Sequence, residues 1–226
     1  MGETDTAPSA ADIHAPIPYK AEVIRKAIHL LALVLPLGMA LLGKATALIL
    51  LVPTTALALA GDVLRVRSAW FAGLVERIFG FMMRGEEQPP VGGPVTINGA
   101  SWVLLSATLL TVIFPIRIAV VAFTMFMLGD AAAALVGRRY GRIHWGRSPR
   151  TVEGSLAFLV VGLAVMELLD PYSGIVFWIG AVSVAAATLA EVPAGPFNDN
   201  LRVPMVAAAL LFVLERFVLG IDMVLF

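Results

Sequence analysis

Apolar residues fall in long blocks divided by short polar breaks, and no strand-like alternation is sustained anywhere along the chain. A helix needs about 17–25 mainly apolar residues to cross a ~30 Å hydrocarbon core. Blocks of that kind cover residues 19–42, 95–114, 116–136, 152–169, 173–192 and 201–219. A shorter block, 45–60, carries Pro53, which a membrane helix tolerates as a kink. Between residues 61 and 94 the period changes. Trp70, Phe71, Leu74, Val75, Ile78 and Phe79 recur at three- and four-residue spacing among Arg65, Arg67 and Arg77. That pattern suits either an amphipathic helix lying in the membrane interface or a packed cytoplasmic hairpin. The Pro- and Gly-rich run 86–94 reads as a turn before the next helix.

Composition settles the class that these blocks suggest. The 226 residues are 59% hydrophobic and only 14% charged, with a mean hydropathy of +0.90. A soluble domain of this size has no interior large enough for so much apolar surface. The expected fold is therefore an all-α, polytopic integral membrane bundle of about seven transmembrane helices. Residues 1–18 are polar, rich in Pro and Ala and without a secretory signal, so they read as a disordered tail. Residues 19–226 form the single membrane-embedded domain. The chain has no cysteine, which excludes disulfide and thiol chemistry.

The net charge is zero, so the distribution of charge carries the information. With the amino terminus in the cytoplasm, alternating spans place all but Lys44, Arg117 and Arg216 of the 16 Lys and Arg on the cytoplasmic side. The same topology brings four polar clusters to that face: Glu22-Arg25-Lys26-His29, Asp62-Arg65, the stretch 129–155, and Glu191 with Asp199-Asn200. Ionisable residues converging near membrane helix ends are a functional-site signal.

The stretch 129–155 is the richest of the four. It starts with Asp130 inside an apolar helix, passes Gly137 and Gly141, and holds Arg138, Arg139, Arg142, Arg147 and Arg150. It closes on Thr151, Glu153, Gly154 and Ser155, which open the next helix. Glycines allow close backbone approach and positive φ, arginines offer bidentate donors, and a helix amino terminus favours an anion. A nucleotide phosphate fits this set. So does a simpler reading, in which the arginines are topogenic charges and the glycines let helices pack closely.

Glu22, Arg25, Lys26 and His29 stand at i, i+3, i+4 and i+7, on one helix face. Snorkelling explains Arg25 and Lys26 but not His29, a turn deeper, which is either functional or a packed, hydrogen-bonded histidine. Glu191, Asp199 and Asn200 are hard oxygen donors of the kind Mg²⁺ prefers, and Asp199 or Asn200 also suits a helix cap. Asp62 and Arg65 read as a surface i, i+3 pair, and Thr96, Asn98 and Ser101 as hydrogen-bonding residues between helices.

The ordered motifs resemble the signature of the CTP-dependent polyprenol kinase family, which includes dolichol, phytol and farnesol kinases and CTP-dependent diacylglycerol kinase. The likeness is carried by Asp130, Ala133, Gly137 and Gly141, followed by Arg150, Thr151, Glu153 and Gly154. The Glu-x-x-Arg-Lys-x-x-His element at Glu22 to His29 and the late Glu191, Asp199, Asn200, Pro204 element extend it in the same order. Pro149 and Arg150 stand where the family has Lys-Lys, and the spacing from Gly141 is one residue short.

The resemblance implies transfer of the γ-phosphate of CTP to the hydroxyl of a membrane lipid alcohol at the cytoplasmic face of the inner membrane. It implies Mg²⁺ held by Asp130, Glu191, Asp199 and Asn200, and CTP bound by Ala133, Gly137, Arg138, Arg139, Gly141, Arg142, Arg147, Ser148, Arg150, Thr151 and Gly154. Asp130 or Glu153 is the expected base, with Arg25, Lys26 and His29 in the catalytic set. Besides CTP and the lipid alcohol, membrane lipids are expected partners and nucleic acid is not. Two alternatives stay open. The Ser148-Pro149-Arg150-Thr151 run also resembles phosphatidate cytidylyltransferases, although their carboxy-terminal signature is absent here. A non-catalytic bundle could use the arginine loop to grip anionic lipid headgroups.

Overall fold

A computed structural model describes residues 19–83, 87–146, 148–193 and 197–221. The amino-terminal tail, residues 1–18, lies outside them. The described residues form an all-α bundle, with one isolated antiparallel bridge, His144 to Thr151, as the sole strand-like pairing among them. The helices are α1 (Tyr19–Leu31), α2 (Val34–Arg67), α3 (Ala69–Phe79), α4 (Gly99–Ile113), α5 (Ile116–Tyr140), α6 (Val152–Leu168), α7 (Phe177–Glu191) and α8 (Asp199–Val213). A 3₁₀ turn (Gly80–Met82) follows α3, a short helical turn (Asp170–Ser173) follows α6, and a π-helical turn (Leu214–Val218) ends α8.

The apolar block 19–42 is not one helix. Tight turn hydrogen bonds from Ala32 and Leu33 back to His29 and Leu30 separate α1 from α2. The shorter block is also longer than its hydropathy: α2 is interrupted at Gly43 (φ 74°, ψ 171°) and then runs on to Arg67, through Pro53. Only glycine adopts such a φ without strain. Tyr19–Arg67 and Ile116–Tyr140 are long and apolar enough to cross a membrane. At 15 residues, α4 and α7 are shorter than the apolar blocks they occupy. For α4 the cause is local: the Asn98 side chain accepts from Ser101 N–H and starts the helix late.

Helix α5 is the axis of the bundle, packing on α1, α2, α4, α6 and α8. Its run Ile118–Met127 is almost wholly buried, led by Phe123, Phe126, Met125 and Met127. Three polar contacts set the antiparallel register of α2 on α4. Asn98 Nδ2 donates to Asp62 Oδ1 at 2.5 Å, Thr55 and Thr108 share a hydroxyl bond at 2.7 Å, and Lys44 Nζ donates to Val112 O at 3.2 Å.

Glycines set the register of α5 on α6. A Cβ at Gly154 would lie 2.9 Å from Ala133 O, one at Gly137 2.9 Å from Thr151 Oγ1, and one at Gly129 3.0 Å from the Phe158 ring. At Gly154 the two helices meet backbone to backbone, and at Gly137 and Gly129 a side chain of the α6 segment fills the space a Cβ would take, as small residues permit in membrane bundles. Gly154→Ala is expected to destabilise the protein by about 1–3 kcal/mol, the usual range for overpacking. A lowered melting temperature in detergent, compared with a control such as Gly38→Ala, where an added Cβ meets nothing within 4 Å, checks it.

Candidate functional site

The site is built where α1, α5, the 141–151 loop, the end of α7 and the start of α8 meet. Helical periodicity turns Glu22 and Lys26 of α1 inward, and both are buried. Each finds a partner far away in sequence. Lys26 Nζ donates to Asp130 Oδ2, across 104 residues. Glu22 accepts from Arg25 at 2.6 Å and from Arg138, at the carboxy-terminal end of α5, at 3.2 Å. His29 stacks edge-on to Phe126 (centroids 6.0 Å apart) and places Nε2 3.4 Å from Asp130 Oδ2. No hydrogen bond is directed along that approach, so His29 Nε2 is buried without a hydrogen-bond partner.

Arg150 closes the other side. Its guanidinium donates to Asp199 Oδ2 and lies 3.0 Å from Glu191 Oε1, joining the end of α7 to the first turn of α8. No N–H is aimed at Glu191 Oε1, which is therefore ionically paired but without a directed hydrogen bond. Burial opposes the charge on Arg150, but Glu191 and Asp199 outweigh it and hold its pKa above the ordinary arginine value. Asp130 is also within electrostatic reach of Arg150, so the two sides form one ionic cluster. Buried charges persist only when paired, and here each buried carboxylate has a cationic neighbour.

The loop from α5 to α6 is a small folded hairpin. Trp145 N–H donates to Arg150 O at 3.1 Å, Val152 N–H to Ile143 O at 2.8 Å, and Trp145 Nε1 to Ser155 Oγ at 3.0 Å. Ser148 Oγ donates to Val192 O at 2.7 Å, tying the loop to the end of α7. Thr151 caps α6 through the Gly154 N–H. Gly137 and Gly141 do not adopt the positive φ expected of them: the positive φ of this loop is at Gly146 (56°). Instead both glycines face Thr151, because a Cβ at either would strike it.

Several expected site residues stand apart from the cluster. Glu153 is turned to the loop, where its Oε1 accepts from the Arg142 and Ile143 amides at 3.0 and 3.3 Å. Arg139 is exposed and lies over the Tyr140 ring, 5.3 Å from its centroid. Arg142 is exposed, Ala133 offers its carbonyl to the Gly154 contact, and Arg147 lies outside the described residues. Asn200 donates to Asn198 Oδ1 at 2.8 Å, and the cap of α8 is Asn198 and not Asp199 or Asn200. Glu153→Gln is expected to leave turnover within about threefold of the parent, since neither oxygen faces the cluster, whereas a base contributes about 10²–10⁴-fold. Initial rates at saturating substrates check it.

Two features were underrated or missed. Asp62 and Arg65 are not a surface pair: both are buried, Asp62 holds Asn98, and Arg65 donates to Glu87 O at 2.7 Å and Thr96 O at 3.1 Å. At the far end of α5, Arg117 pairs with the fully buried Glu215 at 2.9 Å and donates to Ser173 O at 3.1 Å. An acid at 215 within an apolar block was the available signal, since such a residue needs a partner. Lys44 and Arg117 thus both bind groups at one end of the bundle, and the Glu22-to-Asp199 cluster lies toward the other.

Fold and site define a helical membrane protein with a buried ionic cluster assembled from distant segments. Its sequence is similar to that of CTP-dependent diacylglycerol kinase 1 of Schizosaccharomyces pombe, at 28% identity over 179 residues, 70% of this chain and 76% of that protein. It is also similar to dolichol kinase of Saccharomyces cerevisiae, at 30% identity over 82 residues. That match spans 34% of this chain and 16% of the yeast protein. An uncharacterized protein of Rickettsia prowazekii is 28% identical over 186 residues, 80% of this chain and 88% of its own length. The chain is thus a distant relative of proteins named as lipid kinases, one of them CTP-dependent. No family model and no solved structure matches it.

Proposed function

We propose that this protein is a CTP-dependent lipid kinase that transfers the γ-phosphate of CTP to the hydroxyl of a membrane isoprenoid or other lipid alcohol at the cytoplasmic face. The observation that carries this reading is the single cluster of Lys26, Asp130, Arg150, Glu191 and Asp199, together with the similarity to two lipid kinases. Phosphoryl transfer asks a protein mainly for positioning and charge stabilisation. Cationic donors beside carboxylates, at the end of a membrane bundle, supply both to a polyphosphate and a lipid hydroxyl.

In the reaction the lipid hydroxyl oxygen bonds to the γ-phosphorus, the bridge from that phosphorus to the β-phosphate breaks, and CDP leaves. Asp130 is the carboxylate best placed to take the hydroxyl proton, because Glu153 is engaged by loop amides. Lys26 and Arg150 neutralise phosphate charge, and Arg138, docked on Glu22, adds a further cation at the rim. Mg²⁺ is the expected metal. The donor chemistry fits it: hard carboxylate oxygens, one of them, Glu191 Oε1, buried without a directed hydrogen bond. Among the described residues these acids do not yet form a ligand group of three or more, since Lys26 and Arg150 lie between them. Asp130, Glu191 and Asp199 would hold the ion, which would supply further neutralisation of the phosphates; Asn200 stands outside this set.

Purified protein with Mg²⁺, γ- or α-labelled CTP, and a panel of lipid alcohols plus phosphatidate tests the proposal. γ-Label in an alcohol is the expected result. α-Label in phosphatidate would make the protein a cytidylyltransferase, and no lipid label with any acceptor would favour a non-catalytic anion-binding bundle.

A further inference from the structure

Helix α3 carries no buried residue, although it follows directly on the membrane-embedded helix α2. Most of its exposed apolar side chains fall in one row, Trp70 (76% exposed), Leu74, Ile78 and, just beyond the helix, Phe81; Phe79, the last residue of the helix, is exposed on the other side. The opposite flank, Phe71, Ala72 and Val75, is half-buried against the protein. At 3.6 residues per turn, Arg77 stands about 20° from Trp70 around the helix and Glu76 about 120° away. Arg77 therefore borders the apolar row, and Glu76 turns from it. Ala69, Trp70, Gly73, Leu74 and Arg77 line an open recess of about 280 Å³ along this edge. An apolar row bordered by an aromatic and an arginine is the side-chain arrangement of the headgroup level, where indole rings lodge and arginines snorkel.

The charge selects the occupant. Arg77 is the ionic group of the recess, and Arg67, the last residue of α2 and two residues before α3, is exposed and also basic. We infer that α3 lies in the membrane interface and that the recess between Trp70 and Arg77 binds the phosphate of an anionic phospholipid. The helix then serves as a lipid-docking platform beside the ionic cluster, because the 3₁₀ turn Gly80–Met82 that follows it packs on α1, the helix of Glu22 and Lys26. This inference needs only a membrane protein and does not rest on the kinase reading.

The test uses the full chain in phosphatidylcholine vesicles containing a low mole fraction of either brominated phosphatidylglycerol or brominated phosphatidylcholine. Subtracting the emission of Trp70→Phe from that of the parent isolates the Trp70 signal. Brominated phosphatidylglycerol is expected to quench it about two- to fivefold more than brominated phosphatidylcholine, the enrichment one basic residue confers near an anionic surface. Arg77→Gln should abolish that difference while Trp70 is still quenched by both lipids. Trp70 emission quenched by aqueous iodide and untouched by either brominated lipid would overturn the interfacial placement. Equal quenching by the two lipids in the parent, or a difference that survives in Arg77→Gln, would overturn the anionic recess.

Discussion

Asp130→Asn is expected to lower γ-phosphate transfer by about 10²- to 10⁴-fold, the range that a positioned general base contributes. Asp130 is also the anchor of α1, so the substitution acts on stability as well. Lys26 and His29 both approach its Oδ2 within the bundle, and Asp130→Ala would leave the Lys26 ammonium buried without its partner. Removing one member of a buried pair costs about 3–5 kcal/mol. The two effects separate in the double variant Lys26→Met/Asp130→Leu. Replacing both charges by apolar groups of similar volume is often neutral for stability, so the melting temperature in detergent should return toward the parent while turnover stays lost. Parental turnover in Asp130→Asn would sink the assignment of this carboxylate to the chemistry.

Arg150→Ala is the second large effect. Arg150 is the cation that joins Glu191 to Asp199, and without it two carboxylates face each other at the α7–α8 junction. Its side chain is 26% exposed, so water offsets part of the loss. A destabilisation of about 2–4 kcal/mol is expected, somewhat below that of a fully buried pair. Arg150→Lys should recover only part of it. A lysine is a point charge without the planar fork that serves two acceptors at once. Asp199→Asn should partly rescue Arg150→Ala, with a coupling of about 0.5–3 kcal/mol in the double-mutant cycle. Strict additivity of the two substitutions would show that the bridge is not formed. The raised pKa of Arg150 fixes the pH dependence of the arginine's own contribution, its carboxylate partners titrating separately. A cation whose folded pKa exceeds its unfolded value contributes fully below the unfolded value and loses the contribution only above it. Any loss of stability between pH 5 and 8 must therefore come from other groups.

Arg150 also shows what a substitution within a motif does. The CTP-dependent polyprenol kinase signature that the chain resembles has Lys-Lys where this chain has Pro149-Arg150. Pro149 stands just before a residue whose fork spans the ends of two helices, and Ser148, on its other side, fastens the same loop to Val192. Loop and helix ends are thereby locked together, a geometry that a flexible lysine would hold less firmly.

The helical membrane class, the inward face of α1 and the amphipathic character of α3 were all legible along the chain. Each depends on a periodicity that a residue shares with its near neighbours. Glu22, Lys26 and His29 fall on one side of α1 whatever surrounds the helix. Residues Trp70, Leu74 and Ile78 likewise form a row by spacing alone.

Partners were not legible, because they are chosen by packing. Lys26 meets Asp130 across 104 residues, and Arg117 meets Glu215 across 98. The glycines of 129–155 show the same divide. Their composition suited a phosphate-cradling loop and close helix packing equally, and the close approaches between α5 and α6 show that Gly129, Gly137 and Gly154 serve packing. Likewise Glu153 and Asp130 were equivalent acids in the motif, until the hairpin turned Glu153 toward its own amides and the bundle placed Asp130 against Lys26. By itself the sequence determined that these residues are helical, membrane-embedded and ionisable at one end of the bundle. Only the tertiary structure decided which charges neutralise one another, because the cost of burying a charge falls on a pair and the pair exists only once distant helices have packed.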